Sequence, residues 1–379
     1  MWSFLFILTL PMADVQSEIK DDEVVVFYPT YARQVDDGRA WSVSIHGSIF
    51  EPEEDSLKRG VLLGLLRRLG GLAKEEAETR LFKERARAFL VDNEGGKDIV
   101  IRLGDKVYSA GNSGADGHFA ASLELPAAEV ERLRATNPDD RDWLAFQAVT
   151  RPGDDRTFAG RVRLIGSEGL SVISDVDDTI KVSMVRDRRA LMRNTFLREF
   201  QPVDGMAALY RRWAEAGAAF HYLSASPWQL FGPLWEFIED ERFPPGTFHL
   251  KRFRLKDRSA LGLFGSHQAY KSAAVERILS DFPHRRFILV GDSGEHDPEI
   301  YGAAARKHPE QVVRVLIRGV DGCGREDARF EAAFDMVPAD RWRILRDPES
   351  LADLLTERAI PPANRPHDGR PAEESSPLR

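Results

Sequence analysis

The sequence predicts two unlike parts: an α/β domain built on a parallel sheet, preceded by a β-sandwich-like domain with a helical insertion. Three observations carry this. After residue 168, apolar runs of strand length alternate with helical patterns. Before it, short segments alternate apolar and polar residues between Asp and Gly turns. The chain has 379 residues, two to three times a typical domain of ~100–200 residues.

The first part is read at residues 23–167. Residues 24–28 form an apolar run closed by Pro29. Trp41, Val43 and Ile45 alternate with Ser42, Ser44 and His46, the period of a half-buried strand, and Asp36-Asp37-Gly38 upstream signals a turn. Phe119, Ala121, Leu123 and Leu125 alternate in the same way, and residues 99–103, 143–149 and 158–165 add strands. A helical insertion spans residues 56–90. Its first stretch, 57–72, is apolar and basic through Lys58, Arg59, Arg67 and Arg68, and suits either a membrane interface or packing between the two parts. After Gly70-Gly71, a second helix over 74–90 reads as a solvated face.

The second part is read at residues 168–358. Strands are expected over 170–174, 218–223, 287–290 and 312–317, with helices over 205–216, 227–240 and 270–282. Continuous apolar strands separated by helices indicate a parallel sheet covered on both faces. In such sheets ligands bind beyond the carboxyl ends of the strands.

Three of those ends carry polar side chains. They read Ser174-Asp175-Val176-Asp177-Asp178-Thr179, then Ser224-Ala225-Ser226, then Gly291-Asp292-Ser293-Gly294-Glu295-His296-Asp297. Lys271 opens the helix before the third. Clustered carboxylates repel one another and raise their own pKa values unless a cation neutralises them. A hard divalent ion such as Mg²⁺ suits such a set, and a lysine and a serine hydroxyl suit a phosphoryl group. A carboxylate in such a site can act as a nucleophile. A calcium loop fits poorly, since Ile180 and Arg186 stand where it needs Gly and Glu. Ser226-Pro227 reads as a helix cap followed by the first helical residue.

These residues resemble a known superfamily. Asp175 to Thr179 fit the DxDxT signature of the haloacid-dehalogenase-like phosphatases, Ser224 their second motif, Lys271 the third, and Gly291-Asp292 with Asp297 the fourth. Within it, DVDDTIK from Asp175, SASPWQ from Ser224 and GDSGEHDPEIY from Gly291 resemble the App1-type phosphatidate phosphatases over about residues 168–322. The resemblance implies a Rossmann-like fold of the haloacid-dehalogenase type. It implies that Asp175 is the nucleophile and that Asp177, with a raised pKa, protonates the leaving oxygen and then activates water. Thr179 would hold the loop, and Ser224 and Lys271 the phosphate. Asp292 would complete a Mg²⁺ shell with Asp175 and the backbone carbonyl of Asp177, and Asp297 would orient the metal waters or Lys271. Residues 184–201 would form a flap over the site. The substrate implied is phosphatidic acid, hydrolysed to diacylglycerol and phosphate through an aspartyl phosphate. A soluble phosphate ester, or a catalytically silent membrane-docking or scaffold protein, stand as alternatives.

Composition bounds the rest. With 53 basic and 61 acidic residues the net charge is −8, which argues against a general nucleic-acid binder. The single cysteine, Cys323, excludes a disulfide framework and a thiolate zinc cluster. Residues 1–22 read as a lead. Its apolar stretch at 4–10 has no basic residue before it, so a cytoplasmic protein with peripheral membrane contact through 57–72 is expected over an exported one. Residues 359–379, rich in Pro, Ser, Glu and Arg, read as a disordered tail. Nothing in the pattern indicates an oligomeric state.

Overall fold

The computed structural model describes residues 16–52, 64, 71–252, 267–320, 328–351 and 354. The lead up to residue 15, most of 57–72, Cys323 and the tail lie outside them.

The first part forms one nine-stranded mixed sheet: β1 (Val24–Phe27), β2 (Thr30–Val35), β3 (Ala40–Pro52), β4 (Val91–Asn93), β5 (Asp98–Leu103), β6 (Lys106–Asn112), β7 (His118–Pro126), β8 (Trp143–Ala148) and β9 (Ala159–Ile165). The order is β1-β3-β2-β9-β8-β5-β6, with β4 and β7 on the other edge of β3. The strands expected from alternation are all present, and β2, β4 and β6 join them. The sheet curls until β6 meets β7, where a Cβ on Gly111 would lie 2.7 Å from the Ala120 carbonyl oxygen. One apolar core fills the curl, including Val43, Ile45, Ile101, Phe119 and Phe146. Asp36, Asp37 and Gly38 take positive φ in the β2–β3 turn, a conformation that Gly adopts freely and Asp tolerates. Ser17 and Ile19, inside the expected lead, are buried, and Ser17 Oγ donates to the Val100 carbonyl at 2.9 Å.

The second sheet is parallel throughout: β10 (Leu170–Asp175), β11 (Ala219–Pro227), β12 (Thr247–Lys251), β13 (Arg286–Asp292), β14 (Val312–Arg318) and β15 (Trp342–Leu345), in the order β12-β11-β10-β13-β14-β15. The four expected strands are its centre, and β12 and β15 are edges the sequence reading did not anticipate. Helices cover both faces, among them Met206–Glu215, Phe231–Asp240, His267–Asp281 and Asp297–Lys307. From β10 the chain continues to β11 on one side and later reaches β13 on the other. The carboxyl end of β10 is therefore a switch point, where ligands collect.

Two local readings are corrected. Ser226 does not cap a helix: β11 runs on through Pro227, a 3-10 turn follows at Trp228–Leu230, and the helix starts at Phe231. The second insertion helix is also shorter, Arg80–Arg87, and is not simply solvated. Its Phe82 and Ala86 pack with Met192 and Phe196 of the helix Arg188–Phe196. Arg85 lies beneath that helix's end, donating to the carbonyls of Thr195 and Arg198 at 2.7 and 2.6 Å. A helix of eight residues is marginal alone, so this packing holds it.

The two sheets meet through aromatics. The Tyr28 and Trp228 rings are 4.0 Å apart, and the Phe248 N–H donates to the Pro29 carbonyl at 3.0 Å. Tyr31 packs on Phe282 and donates its hydroxyl to Asp281 at 2.5 Å.

Candidate active site

Parallel pairing sets the site. β10 pairs β11 up to Asp175↔Leu223, and pairs β13 up to Ser174↔Val290. The three polar strand ends are thus level. Asp175, Ser224, Lys271, Asp292 and Asp297 are each 1% exposed or less, and Thr179 is wholly buried. That depth in ionisable groups requires partners.

Lys271 supplies the first. Its Nζ lies 2.5 Å from Asp175 Oδ1, 2.8 Å from Asp297 Oδ1 and 3.1 Å from Glu295 Oε2. Burial would lower its pKa, but the three carboxylates hold it well above the ordinary lysine value. Thr179 Oγ1 donates to Asp175 Oδ2 at 3.2 Å. The Asp292 amide donates to Asp297 Oδ2 at 3.2 Å, across a gap only glycine leaves open. A Cβ on Gly291 would sit 2.4 Å from that same Oδ2.

Asp175, Asp292 and Asp297 each present an oxygen within 4.8 Å of the others. Burial and mutual repulsion push all three pKa values up, with Lys271 working against the rise. Among the described residues, Asp292 Oδ2 accepts no hydrogen bond, and Asp175 Oδ1 meets only the Lys271 ammonium. Buried carboxylate oxygens left over in this way, in an all-oxygen set, fit a hard divalent cation. Asp177 is not in this cluster by its carboxylate.

Asp177 departs from the expectation of a raised pKa. Burial does push it up, but the charge of Lys181 and hydrogen bonds from Lys181, Ser183 and Ser224 outweigh that and hold the group well below the usual carboxylate range. Lys181 Nζ is 2.8 Å from Asp177 Oδ1, and Ser183 Oγ donates to the same oxygen at 2.7 Å. Ser224 and Ser226 donate to Oδ2 at 2.9 and 3.0 Å. Ser224, expected at the phosphate, thus holds Asp177 in this arrangement.

Four contributors went unassigned in the sequence reading: Lys181, Ser183, Ser226 and Glu295. Lys181 and Ser183 follow the DxDxT motif at once, and Glu295 lies inside GDSGEHD. Their proximity in sequence was the available signal. Asp178, at φ 53°, has a structural part: its carboxylate accepts from the amides of Ser183, Met184 and Val185 at 2.7 to 2.9 Å, shaping the start of the flap.

Residues of the segment expected to form a flap reach the site. A pocket of about 80 Å³ opens beside Asp177, with Glu295 and His267 at its polar side. Its walls are apolar, including Val185, Leu191, Met192, Phe196 and Leu230. Val182 and Met184, at the flap's start, are exposed hydrophobics at 37% and 49%.

Residues 170–319 match the family model described as the catalytic domain of phosphatidate phosphatase APP1, which bears out the App1-type resemblance. Phosphatidate phosphatase APP1 of Saccharomyces cerevisiae is 39% identical over 154 residues, 40% of this chain and 26% of the yeast protein. Uncharacterized protein C29B5.04c of Schizosaccharomyces pombe is 29% identical over 273 residues, 67% of this chain and 43% of its own length. The chain therefore spans less than half the length of either curated relative. Among solved structures, a chain of the Pnkp1/Rnl/Hen1 complex aligns at a TM-score of 0.28 and 12% identity, over 42% of this chain and 53% of that one. No helix among the described residues is long and apolar enough to cross a membrane.

Proposed function

We propose that this chain is a Mg²⁺-dependent phosphatidate phosphatase that works through an aspartyl phosphate on Asp175. The observation that carries the reaction type is the convergence of Asp175, Asp292 and Asp297 on one point, with Lys271 bound to two of them. The lipid substrate is supported by the APP1 match and by the apolar pocket beside Asp177, where a leaving group would sit.

An Asp175 carboxylate oxygen attacks phosphorus, and the bond to the alcohol oxygen breaks. That oxygen keeps the electron pair and takes a proton from Asp177. Water then attacks phosphorus, gives a proton to Asp177 and displaces Asp175 as a carboxylate. The ionised state in which Lys181 and the serines hold Asp177 suits the second half of this sequence. To serve the first half, Asp177 takes up a proton as its carboxyl turns from Lys181 toward the leaving oxygen. Ser224 and Lys271 turn toward the phosphoryl oxygens once substrate enters, while Thr179 keeps Asp175 aimed. Asp175, Asp292, Asp297 and the Asp177 carbonyl would hold a divalent cation, which supplies positive charge for the phosphoryl oxygens and relieves the repulsion among the carboxylates.

The parallel sheet with these strand ends is read as a haloacid-dehalogenase-type domain beginning near residue 168, and the curled first sheet as a sandwich-like domain. The enzyme would act from the cytoplasm at a membrane surface, with Val182 and Met184 as exposed apolar side chains in the segment that leads to the pocket-lining Val185. The test is a substrate panel: phosphatidic acid in mixed micelles against glycerol phosphate and sugar phosphates, each with and without Mg²⁺. Equal rates on soluble esters would remove the lipid assignment, and no metal-dependent phosphate release from any of them would remove the reaction.

A further inference from the structure

A second cleft, of about 770 Å³, lies between the two sheets. Its floor is the polar face of β2, β3 and β7, and its opposite wall is β12 with the helix His267–Asp281. Four cations line it from three places in the fold: Arg33 on β2, Lys251 and Arg252 at and just after the end of β12, and Arg277 on the helix. Asp281 is the one carboxylate among the described lining residues, and it is shared: Tyr31 donates to it, and Arg33 and Arg277 lie 3.3 and 3.8 Å away, while Arg252 is paired at 3.8 Å with Asp116 outside the lining. The hydroxyls of Ser42 and Ser122 lie 2.9 Å apart on the floor. We propose that this cleft is a second binding site, separate from the Asp175 centre, for a phosphate-bearing anion.

The volume is that of a small-molecule pocket, ~300–1,000 Å³. Guanidinium groups with hydroxyls nearby match the geometry of phosphate oxygens. The positive field also reaches the buried rings around the cleft. Burial is the main reason His46 and His249 stay neutral, and Arg277 adds to it at both, with His118 and Arg252 contributing at His46. Aromatic side chains, Trp228 and Tyr270, also line the cleft. Trp228 and Tyr270 each neighbour in sequence a residue of the catalytic region, Pro227 and Lys271. A ligand here would lie beside the reacting centre without touching it.

The shared chemistry is a phosphate anion, and its source is either a free phosphate compound or a phospholipid headgroup. The test uses full-length Asp175→Asn protein without divalent cation, so that no turnover intrudes. Pyrophosphate binding is followed by calorimetry, and binding of phosphatidylcholine vesicles carrying phosphatidylglycerol by flotation. Each is repeated with Arg252→Gln and Arg277→Gln added. These side chains are 49% and 74% exposed, so the fold is retained, and an unchanged melting temperature verifies this. The expected result is binding of at least one probe that weakens about tenfold or more in the added variant, the loss of a charged contact or two. Pyrophosphate alone responding identifies a free phosphate, vesicles alone a headgroup. No binding by either probe, or binding that the two substitutions leave unchanged, overturns the proposal. Because neither arginine belongs to the Asp175 centre, the outcome is independent of the phosphatase reading.

Discussion

Lys181 Nζ lies 2.8 Å from Asp177 Oδ1, and the pair is anchored further by Ser183, Ser224 and Ser226. Lys181 is 2% exposed and stacks over the Phe200 ring at 4.6 Å, so it cannot readily turn to water. The partner of the proposed proton-transfer group is thus a second buried lysine, distinct from Lys271. Lys181→Met removes the countercharge and leaves a largely buried carboxylate, which costs about 3–5 kcal/mol when a buried pair is broken. A melting temperature several degrees lower, with kcat reduced and KM nearly unchanged, is expected. Wild-type kcat in a folded Lys181→Met protein would show that the pair has no part in turnover.

Asp175→Asn should remove turnover while leaving the fold intact. Without metal it should melt no lower than wild type, because one negative charge leaves a cluster whose members already repel one another. Retained phosphatase activity in this variant would contradict the assignment of the nucleophile.

Mg²⁺ should stabilise the resting protein in the absence of substrate. A ligand at a hundredfold its Kd adds about 2.7 kcal/mol, which a thermal melt reads as a shift of several degrees. Asp292→Asn exchanges one carboxylate oxygen of the cluster for an amide nitrogen and should abolish most of that shift. An equal shift in both proteins would place the ion elsewhere.

The flap pocket should discriminate by leaving group. Leu191→Ala removes an apolar side chain from the wall beside Asp177. KM for phosphatidic acid should rise on the order of tenfold, while glycerol phosphate kinetics stay unchanged, since about one apolar contact's worth of binding is lost. Parallel changes on both substrates would mean that the pocket does not receive the lipid.

Stability should fall on mild acidification, and the histidines between the sheets are the cause. His118 is lowered to about 4 and His249 to about 3, chiefly by burial, with Arg252 acting on the first and Arg277 on the second, and Asp116 opposing the shift at His118. His46 and His221 are lowered too, again mainly by burial. A base with a depressed folded pKa binds fewer protons folded than unfolded. Stability is therefore full above the unfolded value near 6.5 and declines as pH falls toward 4. Melting curves at pH 7.5 and 5 check this, and His118→Phe should flatten the slope. An unchanged slope in that variant would move the cause elsewhere.

Much of the reacting centre was legible in the sequence. The β10, β11 and β13 segments are mainly apolar and run into Asp175, Ser224 and Asp292, and burial on both faces writes such strands as near-continuous hydrophobicity. β12 was not legible: it follows Pro244-Pro245-Gly246 and reads Thr-Phe-His-Leu-Lys, too short and mixed to separate from a loop. Ser226 was misread because a serine before Pro227 is a common helix cap, and only the extension of β11 turns its hydroxyl to Asp177.

By itself, then, the sequence determined the parallel sheet and the acids at three strand ends, because these follow from local periodicity and the rule that parallel strands present their carboxyl ends together, whereas the strand order that makes the end of β10 a switch point came from the fold. Tertiary structure alone decided which acids pair with which lysine. Asp175 shares Lys271 with Asp297 and Glu295, while Asp177 has Lys181 to itself, so two carboxyls two residues apart are held in opposite protonation tendencies. The curl of the first sheet and the cationic cleft beneath it were likewise decided there. The reason is physical: a pKa and a binding cleft depend on distances of a few ångströms between groups far apart in the chain, and spacing along a sequence does not encode those distances.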